Sequence, residues 1–278
     1  MVVFWALNFI IGKIALREFP ALLAAGLRTT LAGLFILPVF LLDGVDRSAL
    51  WKWNVVRPLL AAGVCGVALN QAFFMYGLGR TSVAHASLLI GLTPILVLLI
   101  AALVGEERMT LFKLLGMGVA LGGVFVLQVL PAKTSAATLW GDVCVFLGAL
   151  TFAMFTILGK RLTPQHGSVT VITFAYVGGA VALAPLTLWQ GAGFDFTRVS
   201  AQGWLSLVYM AVFPSVLCYL IYYYALTHIA ASRVAAFSYL QPPIAMLLAV
   251  PLLGEPLTAT LATGGAMVLG GVYLTERG

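Results

Sequence analysis

Ten apolar segments follow one another along the chain, and their succession constrains the fold more than any other feature. They cover residues 2–17, 21–42, 57–78, 83–104, 111–130, 139–159, 169–190, 203–226, 234–253 and 259–275. A helix needs about 20 apolar residues to cross the hydrocarbon core of a bilayer. The connecting loops are short, the longest running from Asp43 to Val56. The segments lack the period-2 alternation of membrane-barrel strands, so helices are expected. Only 9% of the 278 residues are charged, against about 25% in a soluble domain. Such a chain cannot cover itself with polar groups, and its solvent is lipid. The expectation is an all-α polytopic membrane protein, one integrated membrane domain of ten transmembrane helices.

Lysine and arginine set the orientation. The loops after the second, fourth, sixth and eighth segments, with the C-terminus, hold nine: Arg47, Lys52, Arg57, Arg108, Lys113, Lys160, Arg161, Arg233 and Arg277. The opposite loops hold four: Arg17, Arg80, Lys133 and Arg198. That excess places both termini in the cytoplasm. The net charge of +6 sits singly at segment ends, which fits orientation in a membrane and not nucleic-acid binding. Cys65, Cys144 and Cys218 lie in separate apolar segments without C-x-x-C spacing, so neither a disulfide frame nor a metal site is expected. The start of the chain has no basic n-region or A-x-A site, and no cleaved signal is expected.

The chain also repeats itself. A shift of 147 residues brings Gly12-Lys13 onto Gly159-Lys160 and Pro38 onto Pro185. A shift of 149 brings Pro94 onto Pro243 and Gly105-Glu106 onto Gly254-Glu255; at 148, LGGVF at 121–125 meets LGGVY at 269–273. The expected organisation is a first five-helix repeat over 1–134 and a second over 135–278. Five is odd, so the second copy enters the membrane from the opposite side. Inverted-topology repeats around a central cavity are a mark of alternating-access transporters.

Three stretches carry a family resemblance: WALNF at 5–9, GDVCVFLGALTFAMFTILGKRL at 141–162 and YYYALTHIAASRVAAFSYLQPPIAMLLAVPLLGE at 222–255. Together they resemble the drug/metabolite transporter superfamily, specifically its EamA-type ten-helix proteins. The resemblance covers nearly the whole chain. It implies a multi-pass protein of the bacterial inner membrane that exports small metabolites, most similar to the branch exporting amino acids, including aromatic ones.

Pro94 in the fourth segment and Pro242 and Pro243 in the ninth lack the N–H that helix continuation needs. They free the carbonyls of Ile90, Ser238 and Tyr239. A free carbonyl in hydrocarbon costs several kcal/mol. Two readings follow: kinks that turn these helices toward the pathway, or static kinks whose carbonyls are met by a neighbouring Ser or Thr.

Polar and aromatic residues within the segments are the candidates for meeting a substrate. They are Trp5 and Asn8 in the first segment, Asn70 and Phe74 in the third, and His85 and Ser87 opening the fourth. The sixth adds Thr151 and Phe155, the eighth Tyr219, Tyr222 and Tyr223, and the ninth Tyr239 and Gln241. Amides and hydroxyls would hold the head group of a zwitterion, and rings its apolar side chain. For each residue the alternative is helix packing or an interfacial aromatic belt. His85 reads as a proton site or as a hydrogen-bonded structural residue. Lys13 and Lys160 read as snorkelling side chains; Arg28 reads as snorkelling or paired with Glu18, without a substrate role.

All nine acids lie at loops or segment ends. This weakens both cation antiport and carboxylate-based proton coupling. The Gly118/Gly122 pair, echoed by Ala266 and Gly270, points to close packing of the fifth and tenth helices against each other or their neighbours, with a dimer seam as the alternative. A membrane-embedded enzyme is disfavoured, because no H-E-x-x-H, G-x-S-x-G or paired acidic metal motif occurs. No catalytic residue, metal or cofactor is expected. A passive channel would show a continuous polar stripe, whereas the polar groups cluster. Multidrug or other metabolite export on the same fold is the nearer alternative, and the expected partners are a small-molecule substrate and the bilayer, with the protein a monomer.

Overall fold

The computed structural model describes residues 1–43, 52–107, 109–129, 138–254 and 257–277. Among them there is no strand, and ten helices follow in chain order: α1 (Val2–Ala15), α2 (Ala21–Leu42), α3 (Trp53–Leu78), α4 (Val83–Leu103), α5 (Leu111–Val129), α6 (Leu139–His166), α7 (Ser168–Ala192), α8 (Ala201–His228), α9 (Ala231–Leu253) and α10 (Ala259–Arg277). Seven are long and apolar enough to cross a membrane; α1, α5 and α10 contribute shorter apolar stretches. Several helices begin on a hydroxyl that accepts an otherwise orphaned backbone N–H. Ser82 Oγ takes His85 N–H, Thr138 Oγ1 takes Gly141 N–H, and Ser200 Oγ takes Gly203 N–H. The expected segments and the helices coincide apart from their ends: α3, α6 and α8 run several residues further than hydropathy alone indicates. Asp46, Arg47, Arg108, Lys133, Glu255 and the expected repeat boundary at 134/135 lie outside the described residues.

Polarity is arranged for lipid. Large apolar side chains such as Leu41, Leu115, Leu188 and Leu247 are exposed, while Thr29, Asn70, Gln71, Ser87 and Gln241 are buried. Inside, two apolar clusters form, one around Phe9, Leu78, Leu88 and Met210, the other around Phe155, Tyr176, Tyr219 and Tyr222.

The helices pack in a pattern that maps onto itself when α1–α5 are exchanged for α6–α10. α2 lies along α7, α4 against α9, and α5 along α10. α1 packs on α8 and α9, and α6 packs on α3 and α4; α2 touches α8, and α7 touches α3. The α5–α10 seam uses a different face from the one expected. A Cβ on Gly118 or Gly270 would meet nothing, whereas one on Gly116 or Gly123 would strike the α10 backbone, and one on Gly271 the α5 backbone. The G-x-x-x-G spacing names small residues, but only the helix rotation decides which of them meet.

Local irregularities also come in matched pairs. α3 widens into a π turn over Val64–Leu69, and α8 does so over Ala211–Leu217. α4 breaks between Ile90 and Thr93; α9 tightens into a 3₁₀ turn over Phe237–Leu240. The prolines therefore do not sit in mid-helix. Pro94, Pro242 and Pro243 occupy the first turn of the following helical segment, where a missing N–H costs little. Two of the carbonyls they would orphan are met locally: Thr93 Oγ1 donates to Ile90 O at 2.6 Å, and Gln241 N–H donates to Ser238 O. At the α8 π turn Pro214 has no N–H to give, and Ser215 Oγ donates to Met210 O at 2.8 Å.

Both α4 and α9 end on a glycine in the left-handed region, Gly105 at φ 77° and Gly254 at φ 68°. This conformation is open to glycine at little cost. After Gly105 the Glu106 N–H returns to Ala101 O at 2.8 Å, completing the cap. The Gly-Glu motif is thus a helix stop, and Glu106 also accepts from Arg161 Nε at 2.8 Å, tying α4 to α6.

Candidate substrate cavity

A cavity lies where the two apolar clusters meet, with about 520 Å³ of atom-free space, part of it open to solvent. α1 contributes Trp5, Asn8 and Phe9, and α2 contributes Arg28. Asn70, Gln71 and Phe74 come from α3, directly after its π turn; Tyr219 follows the matching turn of α8. An extra residue in a turn rotates everything beyond it by about 100°. The two π turns therefore help to set which side chains face inward. Ile90 and Thr93 flank the α4 break; Ser238 lies in the α9 turn and Gln241 directly follows it. Phe152 of α6 completes the lining.

The aromatic wall is held in place. Trp5 Nε1 donates to Pro214 O at 3.0 Å, and the indole stands edge-on to Phe152 and Tyr219 at centroid distances of 6.0 and 6.1 Å. Trp5 is 8% exposed, so it is a buried wall residue and not part of an interfacial belt. Phe9 and Phe74 meet edge to face at 5.5 Å.

The polar wall is a relay across the α3–α6 contact. Asn70 Nδ2 donates to Gly148 O at 2.8 Å, and Gln71 Nε2 donates to Asn70 Oδ1 at 3.2 Å. Arg28 stands apart from this relay. It is 3% exposed, and its Nε donates to Ser215 Oγ at 2.9 Å. It neither snorkels nor pairs with Glu18, whose carboxylate instead accepts the hydroxyl and backbone N–H of Ser200, both at 2.6 Å. Those two bonds, the hydroxyl's first, hold the Glu18 carboxyl below the usual glutamate range.

Of the residues expected from sequence, the structure brings Trp5, Asn8, Asn70, Phe74, Tyr219 and Gln241 together on this cavity. The others are engaged elsewhere. His85 Nδ1 lies 3.0 Å from Asp142 Oδ2, and Thr81 Oγ1 donates to the other oxygen of that buried carboxylate. Ser87 Oγ returns to Ala84 O; Thr151 Oγ1 donates to Gly148 O at 2.9 Å. Phe155 fills the space beside Gly66 on α3. Tyr222 Oη lies 3.1 Å from Thr156 Oγ1, and Tyr223 Oη donates to Phe155 O at 2.9 Å. Tyr239 is half-buried beside the lining residue Ser238.

Arg28, Gln71 and Thr93 were not among the expected site residues. For Arg28 a signal existed: an arginine well inside an apolar segment, opposite Ala175 in the second copy. No group of three or more His, Cys, Asp or Glu able to hold a metal occurs among the described residues.

Comparison with known proteins gives a consistent picture. The EamA-like transporter family model matches residues 1–129 and 139–277. An uncharacterized transporter of Archaeoglobus fulgidus is 30% identical over 99% of this chain and 96% of its own. A probable terminal-alkyne amino-acid exporter of Streptantibioticus cattleyicolor is 30% identical over 79% of this chain and 73% of its own. The uncharacterized inner membrane transporter YedA of Escherichia coli is 25% identical over 92% and 81%. A crystal structure at 19% identity superposes with a TM-score of 0.72, covering 99% of this chain and 94% of that one; it speaks for the fold alone.

Proposed function

The chain belongs to the EamA-like transporter family, a family of multi-pass membrane proteins, and from that premise we propose that it exports amino acids with apolar or aromatic side chains by alternating access. The observation that carries the reading is the cavity lined both by the rings of Trp5, Phe9, Phe74, Phe152 and Tyr219 and by the fixed amides of Asn70 and Gln71. Rings suit an apolar side chain, and amides suit the head group.

The transport cycle follows from the architecture. Two inverted five-helix halves, near 1–134 and 135–278, exchange conformations and so open the chamber to one side and then the other. The self-mapping packing pattern, the paired π turns and the two stretches matched by the family model support this division. The lysine and arginine bias supports both termini in the cytoplasm, and the named site of the Escherichia coli relative supports the inner membrane. The Streptantibioticus relative's printed cargo supports amino acids. Cationic drugs are the poorer cargo, because a buried arginine lies on the cavity wall.

Purified protein in liposomes, tested for uptake over a panel of labelled amino acids and other metabolites with and without a pH gradient, tests the reading. Saturable flux of leucine or phenylalanine, accelerated by the same compound on the opposite side, is the expected result. Flux without saturation or exchange would overturn the carrier mechanism.

A further inference from the structure

We propose that Arg28 and Gln71, with Asn8, form a head-group subsite in this cavity, Arg28 taking the carboxylate of a free amino acid and the two amides its ammonium. The proposal rests on the reading of the cavity as a substrate site, and it names the atoms that would recognise a zwitterion.

Arg28 is a guanidinium kept inside a membrane protein with an incomplete set of partners. Its Nε is bound to Ser215 Oγ, but its buried Nη1 has no hydrogen-bond partner. Arginine does not shed its proton in proteins. Among the described residues no carboxylate makes a salt bridge to it. Glu18 is bound by Ser200, Glu106 by Arg161, Asp142 by His85 and Thr81, and Asp195 by Arg198 and Thr197. A buried charge without its counter-charge is strongly disfavoured. A guanidinium fork matches a carboxylate through two parallel N–H···O bonds.

The amides supply the opposite chemistry. Gly148 O can only accept, so Asn70 must turn its Nδ2 toward it and its Oδ1 away. That Oδ1 accepts from Gln71 Nε2, which leaves Gln71 Oε1 as the outward end of the relay. Gln71 Oε1 is buried without a partner, and so is Asn8 Oδ1; both side chains line the cavity. The unsatisfied atoms of these three residues are therefore one cationic donor and two neutral acceptors. This set complements a carboxylate and an ammonium on one small molecule. An amine without a carboxylate leaves Arg28 unmatched, and an acid without an amine leaves both amide oxygens unmatched.

Liposomes preloaded with labelled phenylalanine, with labelled leucine in parallel, test this. Efflux is driven from outside by phenylalanine, by phenethylamine, which lacks the carboxylate, or by 3-phenylpropionate, which lacks the amine. For the wild type, phenylalanine should act at concentrations about ten-fold or more below either analogue. Arg28→Met should bring phenylalanine and phenethylamine to equal potency, Gln71→Leu should do so for phenylalanine and phenylpropionate, and Arg28→Lys should fall between. Equal potency of the three compounds on the wild type overturns the subsite. So does unchanged potency of phenylalanine on Arg28→Met. If Arg28→Met fails to fold, the wild-type series and Arg28→Lys still decide. Wild-type protein that moves no amino acid overturns the cargo reading itself, a result distinct from either.

Discussion

At matched positions α3 and α8 both widen into a π turn, yet the residues that follow differ in kind. α3 continues with Asn70, Gln71 and, one turn on, Phe74; at a shift of 147 the second copy has Leu217, Cys218 and Ile221. Across the rest of the cavity the contrast persists. Asn8 faces Phe155 in the alignment of the copies, and Arg28 faces Ala175. By contrast, backbone devices are kept. Lys13 of α1 donates to Thr81 O at 2.5 Å, and its counterpart Lys160 of α6 donates to Leu226 O and Ile229 O at 2.6 Å. These lysines tie helix ends to neighbouring backbone carbonyls. On the proposed two-half division the frame is matched, while most of the polar side chains lining the cavity come from the first half. On the proposed reading, a substrate with unlike ends would be oriented by this difference between the halves, which a perfectly two-fold chamber lacks.

The largest expected effect tests that one-sidedness. Asn70→Leu, which copies the second-half residue, should lower transport in liposomes about 10- to 100-fold by breaking the relay. Leu217→Ala should lower it less than about three-fold. Equal losses would break the comparison. Next come the seam glycines. Gly123→Val and Gly271→Val should each destabilise the protein by about 1–3 kcal/mol, whereas Gly270→Val should be neutral in thermal unfolding in detergent. A large effect at Gly270 would put the α5–α10 seam on its other face. Thr93→Val leaves the Ile90 carbonyl without its donor and should cost about 1–3 kcal/mol by the same measurement, toward the lower end if water reaches it.

The smallest effect concerns pH. Because Ser200 depresses the Glu18 pKa in the folded state, the stabilisation is present above the ordinary glutamate pKa and is lost as pH falls through the depressed value. Ser200→Ala should flatten the acid side of the stability profile below the ordinary glutamate pKa. An unchanged profile would remove that contact from the account.

Much of this was legible in the residues because lipid makes hydropathy a strong signal. Ten apolar segments and the repeated Gly-Lys and Pro markers read directly from composition and spacing. Rotation about each helix axis did not. Gly118 and Gly122 have suitable spacing but face away from the backbone of α10, and Tyr222 and Tyr223 turn from the cavity while Tyr219 faces it. A π turn shifts the phase of everything after it; Pro214 falls within the one in α8, but no proline marks the one in α3. The buried position of Arg28 is not legible for a related reason. A long cationic side chain in an apolar segment has two destinations, the interface or the interior, and only the neighbours of α2 decide between them.

The carbonyl of Gly148 receives two donors, Asn70 from α3 and Thr151 from its own helix. If the two sides of that contact part, Thr151 stays with the carbonyl and no lone acceptor is stranded in a dry interior. On the carrier reading proposed above, only the Asn70 amide N–H would then need a new acceptor, and the amide end of the chamber would be uncoupled from α6.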